Sequence, residues 1–226
     1  MSIAGSSTAE NNSAGGDPAP RRVGRPLDAA KRRAIVETAA QHFFTNGYAA
    51  TAIEQIAADA GVSKVTIYNH FGDKRALFAA AVEGECERMP EHFSIEGTQP
   101  GTIRERLTAI GESMVFFLSR PEMIQFDRRI AAETEHEPAI GAAFLDAGPR
   151  PMKRAFAAWL EHACAAGELA IADAELAAEQ FVSMCKGMGD LERRFGAEVT
   201  PENSARRIAG AVDVFLAAYA PPSRET

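Results

Sequence analysis

Two short runs with a helical apolar period stand almost end to end in the N-terminal third of the chain. The first, Thr51–Ala60, carries Ile53, Ile56, Ala57 and Ala60. The second begins at Ser63 and reaches about Asn69, with Ile67 on its inner side. Only Gly61 and Val62 separate them. A glycine tolerates the left-handed backbone that ends a helix, so so short a link turns the chain sharply instead of continuing it. Thr51 and Glu54 have the spacing of a capping box, and Ser63 is a good N-cap for the second run. Small Ala57 and Ala60 let the two helices approach closely. Upstream, Ile35, Ala39 and Phe43 recur at spacing four, which predicts a helix over Ala29–Asn46 with Asp28 as N-cap and Gly47 as left-handed stop. Downstream, Asp73 caps a further helix carrying Leu77, Phe78 and Val82. Three helices so linked form a helix-turn-helix, in which the first short helix braces and the second can lie in the major groove of DNA.

The second short helix is furnished for that task. Ser63, Lys64, Thr66, Tyr68, Asn69 and His70 crowd into eight positions with no acid among them, and Lys74 follows at the next helix start. Hydroxyl, amide and ammonium groups of this kind are the usual donors to phosphate oxygens. The net charge of −7 speaks against a nucleic-acid partner only as a whole-chain average. Residues 21–75 hold nine basic and five acidic residues, a net of +4, whereas residues 76–226 hold 15 and 24, a net of −9. Such a split marks an anion-binding head joined to a body of another purpose.

The stretch from Ala34 to Phe78 resembles the TetR family of transcriptional regulators. The residues that carry the resemblance are Phe43, Gly47-Tyr48, Thr51, Ile56-Ala57, Ala60-Gly61-Val62-Ser63, Tyr68, Phe71, Lys74 and Leu77. Val65 departs from the small residue common there, which alters the groove-facing surface. The resemblance implies that Thr51, Thr66, Tyr68, His70 and Lys74 meet phosphates. It implies that Lys64, Val65 and Asn69 face base edges, where an amide pairs with adenine and a valine methyl meets the thymine methyl. Phe71 and Ile67 belong to the core.

Residues 1–20 are rich in Ser, Ala, Gly, Asn and Pro, and are expected to be a disordered tail. They lack the basic and apolar regions of a secretory signal. Residues 21–27 form a basic arm in which Gly24-Arg25-Pro26 suits an extended arginine in a narrow minor groove. Residues 28–75 are then the DNA-binding unit and 76–226 a second, acidic domain. That domain reads as helical throughout: 44 alanines favour helix, and no run alternates long enough for a strand. Helices are expected near 102–118, 121–134, 138–147, 150–166, 173–195 and 201–219, with Pro121, Pro151 and Pro201 at or near starts. The segments around Arg129–Glu133 and Ala177–Phe181 resemble an AefR-like C-terminal domain.

Within the resembled family such a domain binds a small effector and forms the homodimer. Candidate pocket residues are Met114, Phe117, Met123, Phe126, Phe144, Trp159, Phe181 and Met184, apolar and adaptable in shape. The last two helices carry apolar stripes, Phe181–Cys185–Met188 and Ile208–Val212–Phe215–Tyr219, assigned to the dimer interface. Glu133, Glu135, His136 and Glu137 read as a solvated helix end, not a metal site, and His162 and Cys164 do not face each other on a helix. No cofactor and no metal are expected. The expectation is an all-α, cytoplasmic homodimer without a membrane span that binds a palindromic double-stranded operator and releases it to a small effector. One alternative is a redox regulator using Cys86, Cys164 or Cys185; a less favoured one is a helical ligand carrier or enzyme.

Overall fold

The computed structural model describes residues 26–88 and 101–221. Every regular element among them is an α-helix: α1 (Pro26–Asn46), α2 (Ile53–Asp59), α3 (Lys64–Phe71), α4 (Lys74–Glu87), α5 (Ile103–Ser119), α6 (Pro121–His136), α7 (Pro138–Ala147), α8 (Pro149–Ala165), α9 (Ala174–Arg194) and α10 (Pro201–Tyr219). The tail and most of the arm, Arg25 included, lie outside the described residues.

Local chemistry sets most boundaries. The Ser63 hydroxyl accepts from the Thr66 amide at the head of α3, and Asp73 accepts from Ala76 at the head of α4. Thr102 and Glu105 cap α5 reciprocally, while Asp173 and Thr200 cap α9 and α10. Gly47 and Gly61 hold the left-handed backbone that stops α1 and closes the turn after α2.

Two caps and one helix interior depart from the sequence reading. Helix α1 starts at Pro26, so Asp28 sits in its first turn and is not its N-cap. Proline's fixed φ suits the first helical position, and an acid one turn in still favours the helix dipole. The Thr51–Glu54 capping box does not form. Ala52 is the N-cap of α2 and no side chain caps it, because the Thr51 hydroxyl donates instead to the carbonyls of Gly47 (2.7 Å) and His42 (3.2 Å). Helix α9 is not continuous: Gly187 adopts φ 45° and ψ −151°, and the Arg207 side chain of α10 lies where its Cβ would stand.

The helices enclose two apolar cores. The first gathers Ile35, Phe43, Ile56, Ile67, Leu77 and Phe78 from α1–α4, and takes in Phe126 and Ile130 of α6 and Ile140 of α7. The second joins α5, α8, α9 and α10 around Leu107, Phe156, Leu160, Phe181, Val212 and Phe215. Met123 of α6 packs against both. A division after residue 75 would cut α4, whose Leu77, Phe78 and Ala81 are fully buried in the first core. The N-terminal head is therefore bound to the body through apolar packing as well as through the chain.

The stripes assigned to a dimer interface are interior. Phe181, Cys185, Ile208, Val212 and Phe215 are buried within one subunit, and Tyr219 is half-buried with its hydroxyl on Gln180. They are the inner faces of α9 and α10. Met188 alone of the set is open, 62% exposed. The break at Gly187 swings it outward, and Gly189 takes the buried position one residue on.

Candidate nucleic-acid interface and effector cavity

Helix α3 presents Lys64, Val65, Tyr68 and Asn69 to solvent, at spacings of one, three and one, with Ile67 buried behind them. That is one face of a helix. Val65 is 66% exposed and Tyr68 40%, an expense of apolar surface that packing within the subunit does not explain. The Lys64 ammonium pairs with Glu54 of α2 and stands 5.8 Å from the Tyr68 ring centroid. The carboxylate raises the lysine pKa, and the ammonium in turn lowers that of Glu54. Thr66 shares a hydroxyl hydrogen bond with Ser63, 2.8 Å, so both serve the helix start as well as facing outward.

One residue leaves the expected phosphate set, and a second has one of its two ring nitrogens engaged. Thr51 is 3% exposed and its one hydroxyl proton is spent on backbone carbonyls, so it has no donor for a phosphate. His70 is mostly shielded, with Nε2 3.2 Å from the Asp28 carboxylate, and it ties the end of α3 to α1. Lys74 is half-buried: its ammonium lies 4.5 Å from the Tyr48 ring centroid and reaches the Ala49 carbonyl at 3.4 Å. Burial lowers its pKa. With three protons it retains donors for an anion.

Sequence reasoning missed three groups here. Glu54 was assigned to a cap, yet its carboxylate faces Lys64 on the reading side. Lys31, Arg32 and Arg33 were counted in the charge of the head but not placed. They are exposed on α1, where Arg32 stacks 5.2 Å over the Phe71 ring near the end of α3. Glu133 was read as part of a solvated helix end. Its Oε2 accepts the backbone N–H groups of Tyr48 and Ala49, both at 3.1 Å. The sequence signal for the α1 cations was their run of three; Glu133 had none, because its partners lie 84 and 85 positions away.

A cavity of about 570 Å³ opens between the two cores. Met114 and Phe117 of α5, Met123 and Phe126 of α6, Phe144 of α7, and Met152 and Phe156 of α8 line it, with Cys86 of α4 in the wall. Five of the eight expected pocket residues are thus on its surface. The other three are not. Phe181 is buried in the second core, Met184 packs against that core, and Trp159 stacks on Phe156 beneath the Arg106 guanidinium. The charged groups that border the cavity are paired: Arg194 with Asp127 (3.2 Å), Lys186 with Asp190 (3.3 Å), Lys153 with Glu179 (3.6 Å) and Arg150 with Asp146 (2.5 Å). The chamber therefore offers apolar and aromatic surface with its neighbouring charges neutralised, and its size is ordinary for a small organic ligand.

Burial in apolar surroundings pushes the Cys86 thiol up to about 11, aided by neighbouring glutamates, and the Cys185 thiol up to about 12. Both stay protonated at neutral pH, the unreactive state of cysteine. Among the described residues no helix is long and apolar enough to cross a membrane.

Residues 35–81 match the model of bacterial regulatory proteins of the tetR family, and residues 105–221 match the AefR-like transcriptional repressor C-terminal domain. A helix-turn-helix transcriptional regulator of Bacillus subtilis, YezE, is 25% identical over 80% of this chain and 92% of its own. A helix-turn-helix repressor of Mycobacterium tuberculosis is 37% identical over 36% of this chain, which spans less than half (43%) of that repressor. Among solved structures, a TetR-family regulator from Mesorhizobium loti superposes with a TM-score of 0.72, at 26% identity, over 87% of this chain and all of its own. The flavonoid-responsive regulator FrrA gives 0.67 at 31% identity over 86% of this chain and 100% of its own. The chain belongs to the TetR family of DNA-binding transcriptional regulators, with an AefR-like C-terminal domain.

Proposed function

We propose that the protein is a homodimeric repressor that holds a two-fold operator and is released from it by a small, apolar, aromatic effector. The observation that carries the reading is the exposed face of α3: Val65 and Tyr68 stand open to solvent between Lys64 and Asn69, a surface suited to a major groove. Thr66, Ser63 and Lys74 flank it as phosphate donors, the Tyr68 hydroxyl adds one from the face itself, and Arg25 precedes it on the arm. The acidic body repels DNA everywhere but at the head and so favours one docking orientation.

Two copies are needed for a two-fold site. The open apolar side chains of α9 and α10, Met188, Leu191, Phe195 and Val214, supply a face for the second copy, and the exposed Gly210, Ala217 and Ala218 of α10 allow close approach. Two recognition helices held about one DNA turn apart (~34–36 Å) read a palindrome. The cavity supports an effector that is aromatic and largely uncharged, since its wall carries Phe117, Phe126, Phe144 and Phe156 and the charges beside it are already paired. FrrA, a similar solved structure, is by its name flavonoid-responsive, and a flavonoid is an aromatic effector. At Cys86 and Cys185 a thiol switch is the weaker reading, because burial holds both thiols protonated. A carrier or an enzyme leaves the open α3 face without a purpose.

The test is a fluorescence-anisotropy titration of the purified protein against the DNA upstream of its own gene, at moderate salt, with a random duplex of equal length as reference. The proposal requires tighter binding to the upstream DNA, and weaker binding once a flavonoid fills the cavity. Equal affinity for both duplexes would sink it.

A further inference from the structure

The C-terminal half of α6 holds the turn that leads into the reading head. Gly47, Tyr48 and Ala49 leave α1 with no helical partner for their amides beyond the bond from Gly47 to Phe43. One carboxylate oxygen of Glu133 accepts both the Tyr48 and Ala49 N–H groups, each at 3.1 Å. The other oxygen sits where a Cβ on Gly47 would stand, 2.4 Å away, so the left-handed glycine (φ 86°) also makes room for the carboxylate. One turn earlier, Arg129 donates to the Phe44 carbonyl at 2.8 Å. Beyond the clasp, Glu137 pairs with Arg75 of α4 at 3.2 Å. The clasped turn in turn anchors Thr51 through the Gly47 carbonyl and Lys74 through the Ala49 carbonyl. Those two residues fix the start of α2 and the start of α4, between which α3 is suspended.

Positions 123, 126, 130 and 133 recur at three and four along α6 and share one face. The N-terminal members, Met123 and Phe126, line the cavity, and Phe126 meets Phe44 of α1 edge-on at 4.3 Å. Glu133 follows seven residues on, about 10 Å along the axis.

We propose that Glu133 is a positioning residue for DNA recognition: its carboxylate sets the α1–α2 turn, and through Thr51 and Lys74 the placement of α3. The proposal rests on the DNA-binding reading given above. Neither the local sequence pattern nor the family resemblance assigns this residue a role.

The experiment compares wild type, Glu133→Ala and Glu133→Gln in the full-length protein. Affinity is measured for a duplex selected by the wild type from a random-sequence pool, and amide hydrogen exchange is followed by NMR. In Glu133→Ala the Tyr48 and Ala49 amides should lose protection while those of Phe78 and Ala81 in α4 keep theirs. Operator affinity should fall about tenfold, the effect of losing a charged hydrogen bond. Glu133→Gln keeps an acceptor oxygen and should recover most of both. Wild-type affinity in Glu133→Ala overturns the proposal, and so does loss of protection spread through α1–α4 without rescue by glutamine. A wild type that selects no duplex would instead overturn the DNA-binding reading, and this inference with it.

Discussion

The proposed placement of a dimer face on the outer sides of α9 and α10 is open to a two-variant experiment. Phe195, at the end of α9, is 85% exposed in the single subunit, whereas Phe181, fourteen residues earlier, is fully buried. Burying a phenylalanine side chain is worth ~1.5–3 kcal/mol. Two-fold symmetry buries it twice, so Phe195→Ala should weaken association by about 3–6 kcal/mol, or roughly 100-fold to 10⁴-fold in the dimer dissociation constant. The fold of each subunit should be untouched, since little of that ring packs inside. Phe181→Ala should do the opposite. It removes a ring that meets Phe156 at 5.4 Å and Phe215 at 5.2 Å, and should cost about 3–5 kcal/mol of folding stability. Sedimentation velocity over a wide concentration range reads the first effect. Urea unfolding at fixed protein concentration reads the second, because the stability of a dimer depends on that concentration. A Phe195→Ala protein that remains a dimer at the lowest measurable concentration would refute the assignment, as would a monomeric Phe181→Ala protein of undiminished stability.

Other expectations follow from the reading head and the cavity. Lys74→Ala should weaken binding to every duplex and lower the slope of log affinity against log salt by about one, measured by anisotropy from low to moderate salt; an unchanged slope removes Lys74 from the phosphate set. Cys86, with its thiol near 11 against an ordinary 9.0, should alkylate at pH 8 on the order of 10- to 100-fold more slowly than a free thiol. Its rate should climb as pH rises toward that value, because a raised pKa withholds the thiolate until then. Mass spectrometry of the maleimide adduct follows it, and rapid modification at neutral pH would revive the thiol-switch reading.

Much of this architecture was legible in local sequence. Gly47 and Gly61 stop helices because each needs a backbone that side chains disfavour, and Ser63, Asp73 and Pro201 announce starts by chemistry confined to one turn. The donor-rich character of α3 was equally legible, since Ser63, Lys64, Thr66, Tyr68, Asn69 and His70 crowd into eight positions without an acid; which of them face base edges came from the family resemblance. What remained hidden were the neighbours of each face. The period of Phe181, Cys185, Ile208, Val212 and Phe215 says that they lie together, but a subunit core and a dimer interface demand the same side chains. The outer faces, built of alanine and glycine with a few large residues, give a fainter signal. The break at Gly187 also turns Met188 out of a stripe that a straight helix would have kept. Thr51 and Glu54 satisfied the spacing of a capping box, yet the turn after Gly47 brought carbonyls nearer to the hydroxyl than the α2 amides. Glu133 illustrates the limit most plainly, because its amide partners are far away in the chain and acquire meaning only when α6 docks on α1.

The central claim is that α3 reads DNA through its open face in a two-fold arrangement. Selection from a random duplex pool, repeated with wild type and Asn69→Ala, tests it most directly. The wild type should enrich a palindrome with half-sites about one helical turn apart. Asn69→Ala should enrich the same palindrome with preference relaxed at one symmetric pair of positions, a loss of ~1–3 kcal/mol of discrimination at each. A pool that yields no symmetric consensus, or an Asn69→Ala preference identical to that of the wild type, would contradict the account.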